Sequence, residues 1–373
     1  MIYLDYAATY PTPKEINELY RYLESTYPYN PHSLHDLGQH ANQIVLSARQ
    51  VIKNRFNLSD EGIIFTSSGS DSNQLAIDLY LSQIEEQEKS HVISSSVEHS
   101  SIYYYLKLLE RRGIIEVTYL PVNKTGQISL NDLQSAIRPN TRLVTIQHVN
   151  SETGCIQPIK AIGKMLKDKS IPFHSDVAQS FGKHHLNNLF TYVDAISISG
   201  HKIKGPKGIG LLLIKHADIL TPLYENTQQY GFKQGTLNPA LIGSLAQAFS
   251  NTMDEEELFF THTSDLRQYF TEQVQKHHLP LSIIESNDQH SSIIGCVSHA
   301  FNGEYIAQEL NRHKIYISTR SACQGTVHSN RNLSSLLDDE SSHQRFFRIS
   351  TSLSTTKDEI DHLISQLRVT LFT

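Results

Sequence analysis

Seven short apolar runs punctuate residues 62–214: Gly62–Thr66, His91–Ser94, Ile115–Tyr119, Arg142–His148, Pro172–Ser175, Ala195–Ser199 and Gly210–Ile214. Most are separated by enough chain for a helix. Runs this short and this apolar suit strands buried on both faces, and long connections suit crossovers rather than hairpins, so the pattern predicts an α/β fold with a mostly parallel seven-stranded sheet. Between the runs, 42–56 places Ile44, Val45, Ala48, Val51 and Ile52 on one helical face, and Ser70–Ser82 and Ser100–Arg112 read the same way.

Past about residue 255 the rhythm changes. Helical segments Glu255–His277 and Gly303–His313 alternate with strands near Ile293–Ser298 and Ile315–Ser318, and Lys357–Leu371 closes the chain as a helix. With 373 residues, two domains are expected. The expected division is a large domain over 16–255 and a smaller α+β domain formed by 1–15 and 256–373. Residues 319–342, rich in Ser, Asn, Gly, Gln and His without a period, are expected to form a mobile loop of the smaller domain.

Charge and apolar content exclude several classes. No apolar run approaches the roughly 18 residues of a membrane span, and a net charge of −6 offers no footprint for nucleic acid or an anionic membrane. Met1–Asp5 carries an acid where a secretory leader would be basic and then apolar, so a cytoplasmic location is expected. Three scattered cysteines, Cys155, Cys296 and Cys323, form neither a disulfide framework nor a zinc pattern, and no metal site is expected. The pairs His184-His185 and His277-His278 read as solvated surface residues.

Three segments carry chemistry. Ala195–Lys202 is a strand ending in Ser199-Gly200-His201-Lys202, which places a lysine for Schiff-base formation beside groups able to hold a phosphate; a basic surface turn fits the same residues. Phe65–Ser70 runs from a strand into a helix, so Gly69 and Ser70 can meet an anion, although a plain Ser-capped helix would look alike. His174-Ser175-Asp176 ends another strand in an acid suited to a pyridinium nitrogen, with Gln179 three residues on; a simple helix cap is the alternative.

In their order these segments resemble the fold-type I, class V pyridoxal phosphate enzymes, and within them the NifS/IscS-like cysteine desulfurases. The resemblance runs nearly end to end: Leu4–Pro11, Asn30–Gly38, Phe65–Ile77, Val97–His99, His148–Gly154, His174–Ser180, Ser199–Lys202, Gly235-Thr236, Ser321-Ala322-Cys323 and Arg348–Ser350. It implies pyridoxal 5′-phosphate as cofactor and conversion of L-cysteine to L-alanine. Lys202 would carry the cofactor and move the Cα proton, Asp176 would hold the pyridine nitrogen, and His99 would stack on the ring and assist proton transfers as a catalytic residue. Gln179 and Asn150 would contact the ring oxygen and substrate, and Gly69, Ser70, Ser199 and His201 the phosphate.

Thr236 would reach the phosphate of a neighbouring subunit in a homodimer. Arg348 would bind the substrate carboxylate, with Asn30 on the substrate side. Cys323 would take the sulfur as a persulfide and pass it to an acceptor protein, for tRNA thiolation or iron-sulfur assembly, with no direct contact to nucleic acid. Cys155 and Cys296 read as packing residues. Selenocysteine lyase chemistry, another class V reaction and a non-catalytic regulatory paralogue share the same pattern. The chain departs from the family at Arg320, at Lys233 before Gly235-Thr236, and in the loop Ser67–Asp71.

Overall fold

The computed structural model describes residues 1–83, 89–185, 188–225, 228–286, 288–319, 331–336 and 340–372. Arg320, Cys323 and most of the segment expected as a mobile loop lie outside the described residues.

The strands are β1 (Ile2–Tyr3), β2 (Ile63–Thr66), β3 (Ser90–Ser95), β4 (Ile115–Leu120), β5 (Thr141–Thr145), β6 (Phe173–Asp176), β7 (Ala195–Ser199), β8 (Gly210–Ile214), β9 (Leu281–Ile283), β10 (Ile293–Ser298), β11 (Ile315–Tyr316) and β12 (Phe346–Ser350). All seven expected runs join one sheet of order β2-β8-β7-β6-β5-β3-β4. Only β8 runs against the rest. Its connection from β7 is too short for a crossover helix, and it turns back through Lys204 and Gly208, both at positive φ. The other six strands therefore end at one edge, and Thr66, Ser95, Thr145, Asp176 and Ser199 stand there.

Strand alternation divides the core. Ile63, Phe65, Leu211 and Leu213 face helices Asp36–Phe56, Ile159–Lys167 and Pro239–Asp254, whereas Ile64, Leu212 and Ile214 face Gly69–Leu81 and Ser100–Arg111. A second sheet, β12-β10-β9, is antiparallel and packs with helices Glu256–Lys276, Gly303–Arg312 and Lys357–Phe372 around a separate core that includes Leu4. The arm is tied there because β1 pairs in parallel with β11 and Asp5 bridges to Ser350.

The helix expected over 42–56 begins earlier, at Asp36, because the His35 ring caps it by accepting from the Gly38 N–H at 3.1 Å. Gly38 is needed there: a Cβ would lie 2.4 Å from the Ser33 carbonyl. The histidine pair also differs from expectation. His185 is exposed, but His184 turns inward, with its ring 5.6 Å from that of His148 and 6.4 Å from that of His290, because the turn after β6 packs at Gly182 against Thr252 of helix Pro239–Asp254. Cys155 and Cys296 are buried, and burial pushes both thiols up to about 12. Among the described residues, no helix is long and apolar enough to cross a membrane.

Candidate active site

The cavity at the shared strand edge is assembled from five loops. The first follows β2. The Ser68 hydroxyl accepts from the Asp71 N–H at 3.1 Å and opens helix Gly69–Leu81, whose first residues, Gly69 and Ser70, line the cavity. A Cβ on Gly69 would stand 2.9 Å from that of Ser199, so glycine lets this helix start close against the end of β7. The two departures in this region answer each other. Lys233 reaches Asp71 at 3.0 Å, and Asp71 also takes the Ser67 N–H and hydroxyl. Burial alone would raise the Asp71 carboxyl, but these donors outweigh it and hold it below the usual carboxylate range.

After β7 a single 3₁₀ turn, Gly200–Lys202, presents His201 and Lys202. The His201 Nδ1 meets the Thr9 hydroxyl at 3.0 Å, and the His201 carbonyl accepts from the Tyr10 N–H. Burial first, then the nearby Lys202, Lys183 and Lys207, hold this imidazole down to about 4. It is therefore neutral near pH 7 and can donate only one ring N–H to an anion. Lys202 Nζ donates to the Ala7 carbonyl, which also takes the Gln179 amide at 3.0 Å.

From β6, Asp176 accepts the Ala178 N–H at 2.9 Å and the Asn73 amide at 2.7 Å. Asn73 reaches on to Ser101 at 3.0 Å, and the Ser101 hydroxyl meets His99 Nδ1 at 2.8 Å. One network thus fixes the acid and the imidazole together. Sequence reasoning missed Asn73; the available signal was an amide on an otherwise apolar face of helix Gly69–Leu81. Glu98, buried beside His99, accepts the Gln147 N–H with both oxygens and the Ser95 hydroxyl with one, which sets two further walls of the cavity.

Arg348, on β12, enters from the second sheet. Its guanidinium donates to the Ser151 carbonyl at 2.7 Å and to Asp5 at 2.6 Å, leaving Nε buried without a hydrogen bond. Asn150 lies just behind the wall: its oxygen accepts from the Glu152 and Thr153 N–H groups, holding the turn that carries Ser151. Asn150 therefore does not line the cavity, and two further expected residues are not brought to it. Asn30 is exposed and accepts from the His32 N–H at 2.9 Å, while Thr236 is exposed in a separate cleft beside Lys233.

The remaining donors and acceptors fit a phosphorylated pyridine aldehyde. A carboxylate stands for the ring nitrogen, a helix N-terminus with Ser70, Ser199 and neutral His201 for the phosphate, and a lysine amine for the aldehyde. The Gln179 oxygen, buried with no hydrogen-bond partner, awaits a donor such as the ring hydroxyl. Among the described residues, no group of His, Cys, Asp or Glu is arranged to hold a metal ion.

Acid should unfold the chain through its buried histidines. Burial holds His91 and His174 down to about 4 and His148 to about 3. The unfolded chain binds these protons at ordinary histidine values near 6.5, so stability is complete above that pH and falls as pH drops from about 6.5 toward 4. Each fully buried ring contributes up to about 1.4 kcal/mol per pH unit within that window. The urea midpoint is expected to fall steadily from pH 7 to 5, with net proton uptake on unfolding; a flat midpoint would contradict it.

A model of the aminotransferase class-V family matches residues 2–363. The chain is 38% identical over 374 residues to the putative cysteine desulfurase NifS of Bacillus subtilis (strain 168), covering 99% of this chain and 94% of the relative. The chain belongs to the class-V aminotransferase family, in its NifS/IscS branch. Cysteine desulfurase IscS of Vibrio vulnificus (strain YJ016) is 36% identical, over 99% of this chain and 92% of the relative. A solved NifS-like protein superposes with a TM-score of 0.90 at 26% identity, covering 100% and 99% of the two chains. A structure described as SspA in complex with cysteine superposes with a TM-score of 0.80 at 31% identity, over 95% of this chain and all of the other. Members of this family depend on pyridoxal 5′-phosphate.

Proposed function

We propose that this class-V enzyme is a pyridoxal 5′-phosphate-dependent cysteine desulfurase that converts L-cysteine to L-alanine and carries the released sulfur on Cys323. The convergence of Lys202, Asp176 and Arg348 on one cavity, each from a different strand or strand end, supports this reading most directly. When bound, the cofactor supplies an electron sink for the bonds at the substrate Cα.

The chain's own groups do the rest. Lys202 anchors the cofactor and moves the Cα proton, Asp176 keeps a proton on the pyridine nitrogen, and Gln179 and His99 orient the ring. Ser70, Ser199, His201 and the amides at Gly69 hold the phosphate. Arg348 lines the cavity, and a substrate carboxylate would meet its guanidinium there, which sets the substrate's orientation. One sulfur atom moves overall: L-cysteine and the Cys323 thiol become L-alanine and a Cys323 persulfide, with no external oxidant. An acceptor protein, a tRNA-thiolating enzyme or an iron-sulfur scaffold, then removes the outer sulfur.

The reading includes a homodimer in which Thr236 serves the neighbouring subunit's phosphate, a cytoplasmic location, and two domains meeting near residue 255. Cys323→Ser is expected to lower alanine formation by about two orders of magnitude and to abolish ³⁵S labelling of the protein from labelled cysteine, with cofactor binding unchanged. Full persulfide transfer by that variant would sink the proposal.

A further inference from the structure

Behind Lys202, on the side away from the cavity, lies a second amine that the chemistry above does not use. Lys183 ends the turn after β6, where its N–H bonds to the Ser180 carbonyl. Gly182, at φ +63°, makes this turn possible, since a Cβ there would meet the Thr252 side chain at 2.1 Å. The turn drives Lys183 inward until the residue is 4% exposed, with its Nζ 4.8 Å from the centroid of the Tyr10 ring. Tyr10 in turn donates its N–H to the His201 carbonyl. Lys183 and Lys202 both line one small pocket, together with Tyr10, Lys204 and Glu255.

We propose that Lys183 is a positioning residue for Lys202: a second amine sealed into the same pocket, which competes with the Lys202 nitrogen for one proton. The inference rests on Lys202 being the cofactor's anchor. Two amines sharing a pocket poorly reached by water cannot both hold a proton cheaply, so they titrate as a pair. A lysine beside another cation is a recognised way to free an amine for covalent chemistry. The Tyr10 face gives the Lys183 ammonium a partner that a water-filled surface would otherwise supply. Burial, then Lys202 and Lys204, push Lys183 well below the ordinary lysine value, so the two amines do not hold protons together, and Lys202 and Lys183 are both among the groups depressing His201. The titratable groups facing Lys183 are Tyr10 from the arm, His201, Lys202 and Lys204 from the turn after β7, Glu255 from the helix end, and His290 from the second sheet's approach. Glu255 is neutralised by its own pair with Lys204.

The test is a pH titration of the visible absorbance of the cofactor-loaded protein, which reads the Lys202 nitrogen directly. Lys183→Met is expected to raise the midpoint by about one unit, and Lys183→Arg, which always carries the charge, not to raise it. Glu255→Gln, a partly exposed change that leaves Lys204 unneutralised, is expected to lower it. An unmoved midpoint in Lys183→Met, or an equal rise in Lys183→Arg, overturns the inference. If Lys183→Met does not fold, a Glu255→Gln midpoint that fails to fall overturns it too. A wild-type absorbance that survives Lys202→Ala takes down the functional reading, and this inference with it.

Discussion

Lys202→Ala is expected to eliminate the visible absorbance of bound pyridoxal 5′-phosphate and to lower alanine formation by about four orders of magnitude. Loss of a positioned proton-transfer group alone removes about 10²–10⁴ in rate, and here the covalent anchor goes with it. The fold should survive. Lys202 is half-buried on a 3₁₀ turn, and the Ala7 carbonyl it contacts keeps the Gln179 amide. Absorbance spectra, alanine release and circular dichroism on one preparation separate the outcomes. An unchanged spectrum together with measurable turnover would remove Lys202 from the mechanism.

Arg348→Ala is expected to damage both stability and substrate recognition. The side chain is 2% exposed and tied to Asp5 and the Ser151 carbonyl. Removing one member of a buried pair leaves the other charge uncompensated and typically costs about 3–5 kcal/mol. With about 2.1 cal/mol/K of unfolding entropy per residue, each kcal/mol shifts a 373-residue chain by a little over ~1 °C, so the melting temperature should fall by roughly 5 °C. The same change removes the guanidinium from the cavity wall, and two charge-assisted hydrogen bonds to a carboxylate correspond to about 10²-fold in KM for cysteine.

A control separates the two effects. Replacing Asp5 and Arg348 together by leucine should restore much of the melting temperature, because no lone charge remains, while leaving KM high. Recovery of both would mean that Arg348 acts only in folding. Arg348→Lys keeps the charge but loses the fork, so it should fall between wild type and alanine in KM.

Much of this site was legible before any coordinates, for a local reason. Lys202, Asp176 and Ser70 each stand within a few residues of a strand end, where β-type runs break into small and polar residues. The fold class followed from the same runs, since apolar patterning and connection length are properties of neighbouring residues. Asn73 and Glu98 were not legible. A buried amide and a buried acid inside short motifs look like ordinary helix or turn residues until their partners, Asp176 and the Gln147 N–H, are seen. His184 was misread because nothing in a polar local sequence shows that the turn carrying it packs inward.

The sequence by itself determined the sheet and the two sets of helices, because strand period and helix face are encoded within about ten residues, and its resemblance to a known family singled out the lysine, acid and arginine. Only the tertiary structure decided which groups share a charge. Asp5 meets Arg348 across 343 positions and Asn73 meets Asp176 across 103. Lys183 comes to share a pocket with Lys202 only because Gly182 lets its turn pack against Thr252. Such pairings depend on how separate elements dock, and docking is set by the packing of whole faces rather than by any one segment.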